Sequence, residues 1–196
     1  MRIVFASNNQ NKFREIRGLI PTHIQLLSLE DIGFEEDIEE TGSTLEENSL
    51  LKAQTIFDFC HIPTIADDTG LEVYALNMAP GVFSARYAGE QKSSEDNIAK
   101  LLRELQNYEN RKARFRTIFT FVDEKKSKQF EGAVEGVISK EKHGNQGFGY
   151  DPVFFPESEK RSFAQMTLDE KNDFSHRSRS LRKLIGYLAQ EFSTID

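Results

Sequence analysis

Asp67 and Asp68 stand side by side in the stretch Ile65-Ala66-Asp67-Asp68-Thr69-Gly70-Leu71-Glu72-Val73. Two adjacent carboxylates repel each other and lose hydration unless a cation or hydrogen-bond donors lie close by. A divalent metal meets that demand. Oxygen ligands select Mg²⁺, Mn²⁺ or Ca²⁺ over zinc, and Mg²⁺ usually takes one or two carboxylates plus substrate phosphates. The Thr69-Gly70 pair between two β-prone runs also fits a plain turn, in which the two acids would only shape the backbone.

Three more polar groups carry chemistry. Ser7, Asn8, Asn9, Gln10 and Asn11 form a polar loop after an apolar run, and Lys12 opens the helix that follows. Free backbone N–H groups at a helix start, with a lysine beside them, suit a phosphate. The spacing is not that of a P-loop. Phe148, Gly149, Tyr150 and Asp151 offer flat rings for stacking a base and a carboxylate to accept from ring N–H groups. His176 and Arg177, after Ser175, can donate to a carbonyl oxygen or a phosphate, and Arg86 is a further phosphate partner.

The chain has 196 residues, enough for one domain over 1–196 with a real core. Its 32 acidic and 25 basic residues give a net charge of −7, which argues against a non-specific nucleic-acid binder. Cys60 is the only cysteine, so no internal disulfide forms and a reducing compartment is expected. No apolar run is long enough for a signal peptide or a membrane span, so a cytoplasmic protein without membrane attachment is expected.

The elements that must position these groups are legible in outline. Ile3–Ala6 reads as a buried strand, and Phe13, Ile16, Leu19 and Ile20 share one face of a helix opening at Lys12 and ending at Pro21. A second strand covers Ile24–Leu29. Residues 34–42 are densely acidic and not a packed helix. Thr44 and Glu47 fit a capping box for a helix carrying Leu51, Ala53, Ile56, Phe57 and Cys60. Pro80-Gly81 marks a turn, and Ser93 caps a helix with Ile98, Leu101, Leu102 and Leu105 on one side. Arg114–Val122 alternates as a strand, turns at 123–127 and returns antiparallel over Gln129–Ile138. Thr167 and Glu170 cap a short helix, and Ser175 begins another with Leu181, Leu184, Ile185, Leu188 and Phe192. Strand-helix-strand followed by a long hairpin predicts an α/β domain around a mixed sheet.

Taken together, the motifs resemble the inosine triphosphate pyrophosphatase family, which hydrolyses deaminated purine triphosphates. The resemblance runs from Ile3 to about Leu188. It rests on Ser7–Lys12, Glu39-Glu40-Thr41-Gly42, Glu47-Asn48-Ser49-Leu50-Leu51-Lys52-Ala53, Ala66–Leu71, Pro80–Tyr87, Gly147–Pro152 and Ser175-His176-Arg177. Ser7 replaces a frequent Thr and Thr69 a frequent Ser, both keeping the hydroxyl.

This resemblance implies a long twisted sheet flanked by helices, two lobes with an active-site cleft between them, and a homodimer. It implies cleavage of ITP, dITP and XTP to a nucleoside monophosphate and pyrophosphate with Mg²⁺, or Mn²⁺ in its place, cleansing the nucleotide pool. Glu39 and Asp68 would hold the metal, Asp68 would orient or deprotonate the water, and Asp67 would support its loop. Ser7–Lys12, Lys52, Thr69 and Arg86 would face the phosphate end. Phe148–Asp151, Lys171, His176 and Arg177 would surround a 6-oxopurine and reject adenine, whose edge would leave buried groups unpaired. A non-hydrolytic nucleotide-binding module would use the same pocket, but Glu39, Asp68 and Lys52 are intact. The related pyrophosphatases for modified pyrimidines carry paired arginines where this chain has Asn11-Lys12.

Overall fold

Ile3, Val4, Phe5 and Ala6 are all fully buried, so the N-terminal strand is covered on both faces, as expected inside a parallel arrangement. The computed structural model describes residues 1–192. In chain order its main elements are β1 (Arg2–Phe5), α1 (Gln10–Arg17), β2 (Gln25–Leu27), α2 (Leu45–Cys60), β3 (Thr64–Val73) and β4 (Pro80–Gly81). Then follow α3 (Ser94–Glu104), β5 (Lys112–Val122), β6 (Ser127–Ile138), β7 (Phe154–Pro156), α4 (Leu168–Phe174) and α5 (His176–Phe192). The strands form one mixed sheet in the order β2-β1-β3-β5-β6-β7, with β4 paired to β3. β1 runs parallel to β2 and β3, whereas β3/β4 and β6/β7 are antiparallel.

The chain divides into two compact units. The first comprises Met1–Asp68, Thr117–Gly132 and the chain from Arg177; the second comprises Thr69–Arg116 and Ala133–His176. In the first unit, successive strand residues feed different cores, because side chains alternate across a sheet. Ile3, Phe5 and Ile65 pack with Ile16 of α1 and with Leu181, Leu184 and Leu188 of α5. Val4, Ala6 and Ala66 pack with Ala53 and Ile56 of α2. Fully burying one such aliphatic or aromatic side chain contributes about 1.5–3 kcal/mol, so both helical layers are firmly seated. In the second unit Leu71, Val73, Phe115, Val134 and Phe154 pack with Ile98 and Leu101 of α3. There the alternate residues are polar. Arg114 Nε meets Glu72 Oε2 at 2.5 Å, and the Tyr74 hydroxyl donates to Glu135 at 2.8 Å.

Several local expectations shift. β3 passes straight through Asp67-Asp68-Thr69-Gly70 as a ten-residue strand with no turn. Gly70 is there for close approach: an added Cβ would lie 2.7 Å from the Gly81 carbonyl oxygen of the paired β4. The Pro80-Gly81 turn is therefore itself a short strand, preceded by a cis Ala79–Pro80 bond. Gly70→Ala is expected to lower stability by about 1–3 kcal/mol through this clash. An unchanged urea midpoint would contradict it.

α1 begins at Gln10, two residues before Lys12, because Asn9 caps it by accepting from the N–H groups of Asn11 and Lys12. It ends before Gly18, so Leu19 and Ile20 pack from beyond the helix. Thr44 caps α2 through Glu47 N–H, and the Glu47 carboxylate accepts in turn from the Ser43 N–H and hydroxyl. Ser93 caps α3, and Thr167 with Glu170 forms the expected reciprocal capping box on α4. Ser175 closes α4, and α5 starts at His176.

Candidate active site

Because β3 is a continuous strand, Asp67 and Asp68 project to opposite faces of the sheet. Each meets a different helix, and the two carboxylates end in different electrostatic settings.

Asp67 continues the row of Ile65 toward α1 and α5. It is fully buried. Lys12 Nζ donates to Asp67 Oδ1 at 3.1 Å, and Arg177 Nε donates to Oδ2 at 3.2 Å. Arg177 Nη1 also donates to the buried Glu15 carboxylate. Burial opposes the charge on Asp67, but Lys12, Arg177 and Lys52 outweigh it and hold the carboxyl well below its ordinary range. Lys12 moves down from its usual value, since burial and the repulsion of Lys52 and Arg177 exceed the pull of Asp67 and Asp68. Arg177 stays fully charged between its two acids despite burial. The result is a four-residue buried ion network of Lys12, Asp67, Arg177 and Glu15.

Asp68 continues the row of Ala66 toward α2. Lys52 lies one turn after Asn48 on that helix, so both face the same way. Lys52 Nζ is 2.5 Å from Glu40 Oε1 and 3.6 Å from Asp68 Oδ1. Asn48 Nδ2 donates to Asp68 Oδ2 at 3.3 Å. Burial, with the negative charges of Glu40 and Asp67, pushes the Asp68 carboxyl above its ordinary value against the pull of Lys52 and Lys12. Lys52 is itself raised: burial lowers it, but Asp68, Glu40 and Asp67 more than compensate. The two neighbouring carboxylates thus shift in opposite directions, Asp67 down and Asp68 up.

The polar loop before α1 is organised by its own side chains. Asn8 Nδ2 donates to Asp37 Oδ1 at 3.2 Å, Ser7 Oγ accepts from Asn9 N–H, and Asn9 accepts from two of the helix-start N–H groups. Gln10 and Asn11 are exposed. Glu39 is exposed too, and it is the adjacent Glu40 that reaches Lys52.

In the second unit Asp151 and Lys171 form a buried ion pair at 2.6 Å. Asp151 Oδ2 also accepts from Phe148 N–H at 2.9 Å, folding the carboxylate back under its own loop. Gly147, at φ 71°, is required there, because an added Cβ would collide with Asp151 Oδ2. Lys171 Nζ lies 5.1 Å from the Phe148 ring centroid, a cation–π contact that fixes this half-buried ring. Gly149 sits at φ 60° in the same loop. Tyr150 is a core residue whose hydroxyl donates to the Ser84 carbonyl at 2.9 Å. His176 is buried and stacked on Phe115 at 4.6 Å. Thr69 is half-buried in β3, and Arg86 stacks over Phe83 at 5.2 Å.

Of the residues expected from sequence, the first unit brings together Lys12, Lys52, Asp68 and Arg177. Sequence reasoning missed Glu15, Glu40 and Asn48. Glu15 stands three residues from Lys12 and Asn48 four residues from Lys52, spacings that share a helix face and could have signalled both. Nothing in the sequence separates Glu39 from Glu40.

Among the described residues no helix is long and apolar enough to cross a membrane. The dITP/XTP pyrophosphatase of Christiangramia forsetii is 50% identical over 190 residues, covering 97% of this chain and all of that protein. The dITP/XTP pyrophosphatase of Flavobacterium psychrophilum is 51% identical over 187 residues, covering 95% and 98%. The structure of the Staphylococcus aureus Ham1 protein aligns with a TM-score of 0.89 at 41% identity, covering 97% of this chain and 100% of that one. The profile of the Ham1 family matches residues 3–187, and with relatives this similar over nearly their whole length the chain belongs to the Ham1 family.

Proposed function

We propose that this chain hydrolyses deaminated purine nucleoside triphosphates, dITP, ITP and XTP, to the nucleoside monophosphate and pyrophosphate, removing them before nucleic-acid synthesis. The observation that carries the reading is the Lys52–Glu40–Asp68 cluster on one face of β3, in a chain half identical to dITP/XTP pyrophosphatases. Phosphoanhydride cleavage depends mainly on positioning and charge stabilisation, and lysines among oxygen ligands supply both.

The donor set fits magnesium. Among the described residues no three His, Cys, Asp or Glu side chains gather to hold a metal unaided. An ion shared with a polyphosphate needs only one or two protein carboxylates. Glu40 and Asp68, both beside Lys52, are those we assign, with Mn²⁺ as an alternative ion. A bound Mg²⁺ would offset phosphate charge and make an attacking water easier to deprotonate. Asp68, beside Lys52 and Glu40, would accept the proton of the attacking water. Lys52 and Lys12 bind phosphate oxygens, while Asp67 and Glu15 keep Lys12 and Arg177 in place.

The family resemblance assigns the base to Phe148 and His176; within the second unit Asp151 holds the Phe148 backbone and Lys171 contacts its ring. Donors aimed at a 6-oxo group favour hypoxanthine and xanthine over adenine. The family resemblance also supports a cytoplasmic homodimer, which light scattering of the purified protein would test.

A substrate panel checks the reading: kcat/KM for dITP and XTP should exceed that for ATP by at least about 100-fold, and equal rates would refute it. The two glutamates give a sharper test of the metal site. Glu40→Gln is expected to raise the Mg²⁺ concentration for half-maximal activity by about 10-fold or more, and Glu39→Gln to leave it near wild type. The reverse ranking would move the ligand to Glu39.

A further inference from the structure

Asn48 is fully buried on α2, one turn before Lys52. Its Oδ1 accepts from the Gly42 backbone N–H at 2.7 Å, and its Nδ2 donates to Asp68 Oδ2 at 3.3 Å. The partners fix the amide's orientation. Gly42 N–H can only donate, so the oxygen must face it, and the nitrogen is then left for the carboxylate. Gly42 lies two residues beyond Glu40 in the acidic loop, and its lack of a side chain allows the contact. A Cβ there would stand 2.6 Å from Asn48 Oδ1 and 2.7 Å from Glu47 Cβ. On Asp68, the Asn48 bond takes Oδ2, and Oδ1 is the oxygen beside Lys52. An aspartate at 48 would set a second anion against Asp68.

The geometry points to Asn48 as a positioning residue: one buried amide ties the loop carrying Glu40 to the Asp68 carboxylate and so fixes the spacing of two oxygen ligands. It acts through those two carboxylates and does not touch substrate. The inference rests on the metal assignment proposed above.

The test uses Mn²⁺ as the probe, with its binding to the complex of the protein and a non-hydrolysable dITP analogue followed by electron paramagnetic resonance. Asn48→Ala removes both hydrogen bonds, whereas Asn48→Asp keeps the acceptor for Gly42 and opposes Asp68. Both are expected to weaken Mn²⁺ binding by about 10-fold or more and to lower kcat for dITP by a similar factor. KM for dITP at saturating Mg²⁺ should stay within about threefold, since a residue acting through the carboxylates does not hold the nucleotide. The control is Ser49→Ala, which breaks the adjacent buried hydrogen bond to Thr120 Oγ1 at 2.7 Å. It should lower the unfolding midpoint and leave Mn²⁺ affinity unchanged.

Wild-type Mn²⁺ affinity in folded Asn48→Ala overturns the inference. So does an equal loss in Ser49→Ala, which would mean a general loosening of α2, or a wild-type protein that binds no Mn²⁺. If Asn48→Ala fails to fold, Asn48→Asp decides by the same readings; if neither folds, Asn48 serves folding and the inference falls. A wild-type protein that binds Mn²⁺ but releases no pyrophosphate from dITP would refute the functional reading alone, and the Mn²⁺ comparison would still decide this one.

Discussion

Asp68→Asn is expected to lower kcat for dITP by about 10³-fold while the protein stays folded, because general-base catalysis alone contributes about 10²–10⁴-fold. The substitution is nearly isosteric and keeps an oxygen that can accept from Asn48. It removes the negative charge beside Lys52 and the group that receives the water's proton. Lys52 keeps its contact with Glu40 when the Asp68 charge is gone, so the substitution should cost little stability. A kcat within about tenfold of wild type would remove Asp68 from the reaction.

The second large effect falls on stability. Arg177→Ala is expected to destabilise the protein by about 3–5 kcal/mol, the usual cost of removing one member of a buried ion network. Arg177 is almost wholly inaccessible and is shared between Glu15 and Asp67, so its loss removes a buried charged donor from both carboxylates. Lys12 would remain on Asp67. Urea unfolding checks the value. A loss below about 1 kcal/mol would show that water or relaxation compensates the acids and that the network is not structural. Adding Glu15→Gln to the Arg177 variant should recover part of the loss, since one buried negative charge deprived of its guanidinium is then removed.

These two outcomes separate Asp67 from Asp68, a distinction that the sequence does not contain. Read locally, Asp-Asp-Thr-Gly favours a turn, because Asp and Gly are depleted from strands. The strand persists because its polar residues are satisfied from far away. Lys12 is 55 residues from Asp67, and Arg177 is 110 residues from it. Once the strand is continuous, alternation alone sends one acid to α1 and α5 and the other to α2.

Elements with local signatures were readable. The helix caps at Thr44, Ser93 and Thr167 follow from a hydroxyl three residues before an N–H, and α5 from its apolar spacing. The start of α1 is ambiguous in the sequence because Ser7, Asn8, Asn9 and Asn11 are all competent caps, and only the fold selects Asn9. For the base end, the sequence groups Phe148, Gly149, Tyr150 and Asp151, and the fold divides them. Tyr150 enters the core, Asp151 pairs with Lys171, and Phe148 keeps a half-buried face. Such division depends on which side of a loop each residue takes, which composition and spacing do not encode.

The most direct test is product identification with dITP and Mg²⁺. Equimolar dIMP and pyrophosphate with no orthophosphate are expected, and Asp68→Asn should lose both products. Formation of dIDP and orthophosphate, or undiminished pyrophosphate release by Asp68→Asn, would contradict the proposed reaction.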